Sequence, residues 1–152
     1  MVLRASLAQR KLPTTEFPLR VYDDRRARTE LAAALAEGNP QRITEAQAAV
    51  NACYETLIIT AIPPVDWEGL VAGHPPTDQQ RANGGWCNSD TFAPALLAVC
   101  VDGDETEADW ADAITKGGMS KGEALALVQA VYDINLRTLD PDLPKDSTPT
   151  RN

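Results

Sequence analysis

Trp67-Glu68-Gly69-Leu70-Val71-Ala72-Gly73-His74-Pro75-Pro76, then a polar spacer, then Asp90-Thr91-Phe92-Ala93-Pro94-Ala95-Leu96-Leu97-Ala98-Val99-Cys100-Val101, is the stretch on which the fold turns. Pro64 suits the first turn of a helix, where backbone N–H groups have no intrahelical acceptor. Trp67, Leu70 and Val71 then recur at helical spacing, and the double proline ends the run. Residues 74–89 read as loop, with His74-Pro75-Pro76 and Asn83-Gly84-Gly85 as breakers. Asp90 reads as the cap of a second helix whose first turn tolerates Pro94. Phe92, Leu96, Val99 and Cys100 supply its apolar face.

Upstream, Phe17-Pro18-Leu19-Arg20-Val21-Tyr22 alternates apolar and polar residues as a strand does, and Pro18 either confines it to a sheet edge or makes it begin late. Asp23 or Asp24 caps a helix with Leu31, Ala34 and Leu35 inward, stopped by Gly38-Asn39-Pro40. Thr44 with Gln47 fits a capping box, opening a helix with Ala46, Ala49, Val50 and Cys53 on one face. A connection of about six residues makes the pair an antiparallel hairpin. Leu57-Ile58-Ile59-Thr60-Ala61-Ile62, rich in β-branched residues and closed by Pro63-Pro64, reads as a second strand. Two strands alone are marginal in water and need a helix against one face or a strand from another chain.

Downstream, Thr106 with Asp109 and Ser120 with Glu123 mark two more helix starts. Trp110, Ala113 and Ile114 face inward in the first, which stops at Gly117-Gly118. Leu127, Val128, Val131 and Ile134 do so in the second. The fold class is mainly α: a helical hairpin flanked by two short antiparallel strands, followed by a small C-terminal helical bundle. Residues 1–16 read as a flexible arm, 17–138 as a single domain (strand-helix-helix-strand over 17–62, bundle over 63–138), and 139–152 as a disordered, proline-rich tail.

The chain has 152 residues, enough to bury one sizeable core. Its formal charge of −8 opposes a phosphate-backbone partner, which Lys and Arg must neutralise. No run approaches the roughly 18 apolar residues of a membrane span, and the first residues lack the apolar run of a signal peptide. A cytoplasmic protein without nucleic-acid or membrane partners is expected. Three widely spaced cysteines, Cys53, Cys87 and Cys100, form no disulfide framework.

His74 with the cysteines is a zinc ligand set only in principle, because no Cys-x-x-Cys pair is present. Carboxylates cluster at helix starts, as Asp102, Asp104, Glu105, Glu107 and Asp109 do, where capping and the helix dipole explain them. One histidine beside two prolines makes no triad. Gly84-Gly85 and Gly117-Gly118 match neither a Walker nor a Rossmann pattern. No catalytic residue, cofactor or metal is expected. Trp67 and Trp110 lie on apolar helix faces and read as core. Trp86, in a glycine-containing loop, reads either as a lid over the core or as an interface anchor.

A strand ending in Ile62-Pro63, Trp67 with Leu70, and His74-Pro75-Pro76 together resemble the tail assembly chaperones of long-tailed siphophages, most of all those of actinobacterial phages and prophages. Asp90-Thr91-Phe92 with Pro94-Ala95-Leu96-Leu97, Trp110 in an acidic helix, and Ser120 with Glu123-Ala124-Leu125 running to Asn135 extend the resemblance across residues 17–137. The loop over 79–87 departs from the family pattern. The resemblance implies a chaperone that binds the tape measure protein and keeps it soluble until tail tube subunits polymerise around it. It implies a host-cytoplasmic protein absent from the mature virion. It also implies a longer frameshifted form of the same chaperone as a partner, with Pro144-Lys145 suiting the short form, and a homo-oligomer is a further expectation. A groove for an apolar client helix needs an apolar floor and a polar rim. Trp67, Leu70, Val71, Trp86, Phe92 and Leu97 are the expected client-binding residues. A structural virion protein, such as a head–tail connector or tail-completion protein, is the alternative. A small metal-dependent enzyme or regulator using His74 and the cysteines is a third.

Overall fold

In the computed structural model, which describes residues 2–137, β1 (Thr14–Arg20) pairs antiparallel with β2 (Tyr54–Thr60), Thr14 opposite Thr60 and Arg20 opposite Tyr54. Both strands start and end earlier than the alternation suggests. The Ala61 N–H donates to the Pro13 carbonyl at 2.9 Å, and the Val21 N–H to that of Cys53 at 2.8 Å. The antiparallel alternation between these two points turns the peptide groups of Glu16 and Pro18 to the open edge. Pro18, with no N–H to offer, interrupts the donors on that edge and opposes further strand pairing there.

Between the strands stand α2 (Arg25–Glu37) and α3 (Pro40–Asn51), the expected hairpin. Its connection is Gly38 and Asn39 alone. Gly38 takes the left-handed conformation (φ 71°) and returns its N–H to Ala34, and the Asn39 side chain accepts from the N–H groups of Gln41 and Arg42. Gly-Asn-Pro is thus one helix's stop and the next helix's cap with proline at its first position. The Thr44–Gln47 box does not form: the Thr44 hydroxyl, already inside α3, donates to the Pro40 carbonyl. Ala34 and Val50 are buried between the two helices, whereas Leu35 is exposed. Cys53 lies beyond the end of α3. At the hairpin's base, Asp24 is buried and accepts from the Tyr54 hydroxyl (2.7 Å) and from Arg28 Nε (2.5 Å). These bonds, the Tyr54 bond first, hold its carboxyl below the usual range.

The rest of the described chain packs as helices: α4 (Pro64–Gly73), α5 (Asp78–Ala82), α6 (Ser89–Cys100), α7 (Glu107–Thr115) and α8 (Lys121–Leu136). Phe92, Leu96 and Leu97 of α6, Leu127 and Val131 of α8, and Ile59 of β2 are almost wholly buried. Trp110 of α7 closes the same core, and Phe17 and Leu57 pack against it from the sheet. Each fully buried side chain of this size contributes about 1.5–3 kcal/mol. The sheet therefore gains the covering helix that two strands require. Val101 makes an isolated bridge to Ile59, and the Asp102 N–H donates to the Ile58 carbonyl at 2.9 Å, tying the end of α6 to β2. The capping boxes at Thr106–Asp109 and Ser120–Glu123 are both formed.

Other sequence expectations are corrected. Within residues 1–16, expected as an arm without regular structure, lie a helix, α1 (Val2–Gln9), and the start of β1. The spacer over 74–89 contains α5, opened by a capping box between Thr77 and Gln80. Asn88, not Asp90, caps α6, which places Pro94 beyond the first turn. The Asp90 carbonyl that proline deprives of its usual donor belongs to an exposed residue. Val99, expected inward, is exposed. Among the described residues no helix is long and apolar enough to cross a membrane. The tail expected over 139–152 lies outside the described residues.

Candidate protein-binding cleft

The loop carrying Trp86 is built back onto its own helix. Gly84 takes φ +82°, and the Gly85 N–H donates to the Gln80 carbonyl at 2.7 Å. A Cβ on Gly85 would stand 2.8 Å from that same oxygen, so only glycine fits without a shift. The Asn88 N–H donates to the His74 carbonyl at 2.9 Å, and the Gln80 side chain donates to Asn88 Oδ1 at 3.2 Å. His74 Nδ1 shares a hydrogen bond of 2.9 Å with Thr91 Oγ1, and its ring edge faces Phe92. The loop is thereby pinned to both the end of α4 and the start of α6.

These constraints bring four aromatic rings together. Phe92 forms the floor. Trp67 and Trp86 each meet it edge-on with centroids 5.4 Å apart, and Tyr132 stacks on it at 6.0 Å. Trp67 and Trp86 lie 6.0 Å from one another, and Tyr132 closes the ring of contacts with both. Edge-to-face pairs at such distances add about 0.5–1.5 kcal/mol each beyond area burial. Phe92 is fully buried, yet Trp86 remains 51% exposed. Beside it opens a cleft of about 500 Å³, with Trp86, Tyr132 and Leu136 as its apolar part and Gln80, Asn83 and Gln129 as amide rim. Among the described residues no charged side chain lines it. Burial pushes the Tyr132 hydroxyl up to about 12, with the neighbouring Cys87 adding to the effect. Burial likewise raises the Cys87 and Cys100 thiols, so both are poor nucleophiles.

The expected client-binding residues divide into three groups. Phe92 and Leu97 are 0% and 1% exposed and support the site from below without a surface to offer a client. Trp67, Leu70 and Val71 are half-buried against the core. Trp86 is both lid and exposed ring. Sequence reasoning missed Tyr132, Gln80, Gln129 and Leu136. Tyr132 follows Val128 by one helical turn, a spacing that places it beside the apolar stripe of α8. His74, Cys87 and Cys100 do not assemble: among the described residues no three His, Cys, Asp or Glu side chains converge as metal ligands would. A rigid, partly exposed aromatic platform with neutral hydrogen-bonding groups at its rim suits capture of an apolar side chain presented by another polypeptide. No family model, curated protein or solved structure matches the chain.

Proposed function

We propose that the chain is a phage tail assembly chaperone that binds the tape measure protein and keeps it soluble before tail tube polymerisation. The observation that carries this reading is Trp86, half-exposed over a packed aromatic cluster at the mouth of an uncharged cleft. An apolar face of a client helix gains by placing a large side chain against that ring and losing its contact with water. The amides of Gln80, Asn83 and Gln129 have no charge to bury and pair with neutral polar groups around such an anchor. The acidic exterior keeps a loaded complex dispersed. The motif run from Ile62-Pro63 to Asn135 supplies the family reading. In that reading the protein works in the host cytoplasm, several copies cover one long client, a longer form shares the work, and none enters the virion.

Co-expression with a phage tape measure protein tests the proposal. The tape measure protein stays in the soluble fraction with this chain and aggregates without it. Equal solubility in both cases, or stoichiometric presence of this chain in purified particles, overturns it; the second result favours a structural virion protein.

A further inference from the structure

α1 carries Leu3 and Leu7 one helical turn apart, each 55% exposed. Arg4, Arg10 and Lys11 are the only charged side chains before Glu16. α1 and its connector are therefore apolar on one side and basic. The root of this helix is linked to the cleft through the end of the sheet and the last turn of α8. The Ala61 N–H holds Pro13, the Ile62 N–H is held by Asn135, and the next residue of α8, Leu136, lines the cleft. Between residues 61 and 137 twelve carboxylates stand against four basic side chains. Asp78, Asp90 and Asp133 sit next to or near the lining residues Gln80, Ser89 and Tyr132 in sequence, Asp78 and Asp133 being paired with Arg81 and Arg137.

We propose that α1 is an exchange arm: its Leu3 and Leu7 seat in the Trp86 cleft of a second copy, which returns the contact. The charge complementarity selects this occupant. A basic arm meets an acidic bundle, while its leucines fill the uncharged, partly aromatic cleft. The single chain leaves both leucines exposed, so the arm does not fill its own cleft. Leu12, preceding Pro13, is restricted to extended conformations, which opposes a reversal of the short connector. A helix of this length spans about 12 Å. With root and cleft linked in this way, two copies whose clefts face each other across a twofold axis let each arm cross to its neighbour. The exchanged arm occupies the same cleft that the proposed function gives to a client, so a client displaces it; the exchange itself rests on the cleft and not on the identity of any client.

Sedimentation of the full chain over a concentration series, at low and high salt, tests it. The wild-type chain dimerises, and salt weakens the dimer. Leu3→Asp/Leu7→Asp and, separately, Trp86→Ala each weaken it about tenfold or more, with helical circular dichroism retained because neither alters the buried core. A chain that stays monomeric throughout, or a dimer indifferent to both variants, overturns the proposal. So does a Trp86 fluorescence change in Leu3→Asp/Leu7→Asp that is independent of concentration, because the arm would then occupy its own cleft.

Discussion

Asn135 Oδ1 accepts the backbone N–H of Ile62 at 3.0 Å, across 73 positions of sequence. Its amide nitrogen donates at 2.8 Å to the Val131 carbonyl and reaches Cys100 Sγ at 3.6 Å. One side chain thus joins the end of β2, the end of α6 and the last turn of α8, at the edge of the cleft. Replacing Asn135 with Leu leaves the part-buried Ile62 donor without its partner. Urea unfolding is expected to show a loss of about 1–3 kcal/mol.

Phe92 and Trp86 touch each other but carry different burdens. Phe92→Ala empties the centre of the aromatic cluster and costs about 3–5 kcal/mol. Trp86→Ala removes a half-exposed ring and costs about 1–2 kcal/mol. Thermal unfolding of the two variants checks the order, and a Trp86→Ala loss as large as that of Phe92→Ala contradicts the assignment of Trp86 as surface.

Gly85→Ala drives a methyl group against the Gln80 carbonyl. The backbone bond that folds the loop onto α5 must lengthen, at about 1–3 kcal/mol. Because Trp86 is the next residue, its fluorescence maximum is expected to shift in the folded variant. Gly69→Ala, inside α4 with open space around its Cβ position, serves as the control: it leaves the fluorescence unchanged and, as an alanine in a helix interior, raises stability by about 0.5–1 kcal/mol.

Stability falls at both ends of the pH range for opposite reasons. The Tyr132 hydroxyl, raised to about 12 in the fold, ionises near 10 when unfolded. The unfolded chain therefore releases this proton first, and the contribution of Tyr132, complete below pH about 10, is lost as pH rises towards 12. Tyr132→Phe flattens this alkaline loss. On the acid side, backbone N–H bonds from Thr106 and Ser120 hold the Asp109 and Glu123 carboxyls below their usual range. Their contribution is present above the unfolded carboxylate values and disappears as pH falls through the lowered ones. Denaturant titrations across pH resolve both limbs.

Much of the architecture was legible because local signals were unopposed. The β-branched run around Ile58 and Ile59 had no helical reading to compete with it. Thr106–Asp109 and Ser120–Glu123 each preceded an apolar stripe, and both boxes formed. Where two signals overlapped, one hid the other. Gly38 ends α2 so clearly that Asn39-Pro40 reads as part of the stop and not as the cap of α3. Pro75-Pro76 announced a loop and concealed the Thr77–Gln80 box directly after it. The site suffered from a different ambiguity. α6 is buried around most of its circumference, from Phe92 through Leu97 and at Cys100, so periodicity could not separate floor from surface. Tyr132 meets Trp86, and Leu136 lines the same cleft, through packing of α8 across α6, an arrangement that spacing within either helix does not encode.

The most direct measurement of the central claim is the soluble fraction of the tape measure protein when co-expressed with wild-type chain, with Trp86→Ala, and with the surface control Gly69→Ala. Wild type and Gly69→Ala retain the client in solution, and a folded Trp86→Ala loses it. A client held equally well by Trp86→Ala would contradict the claim.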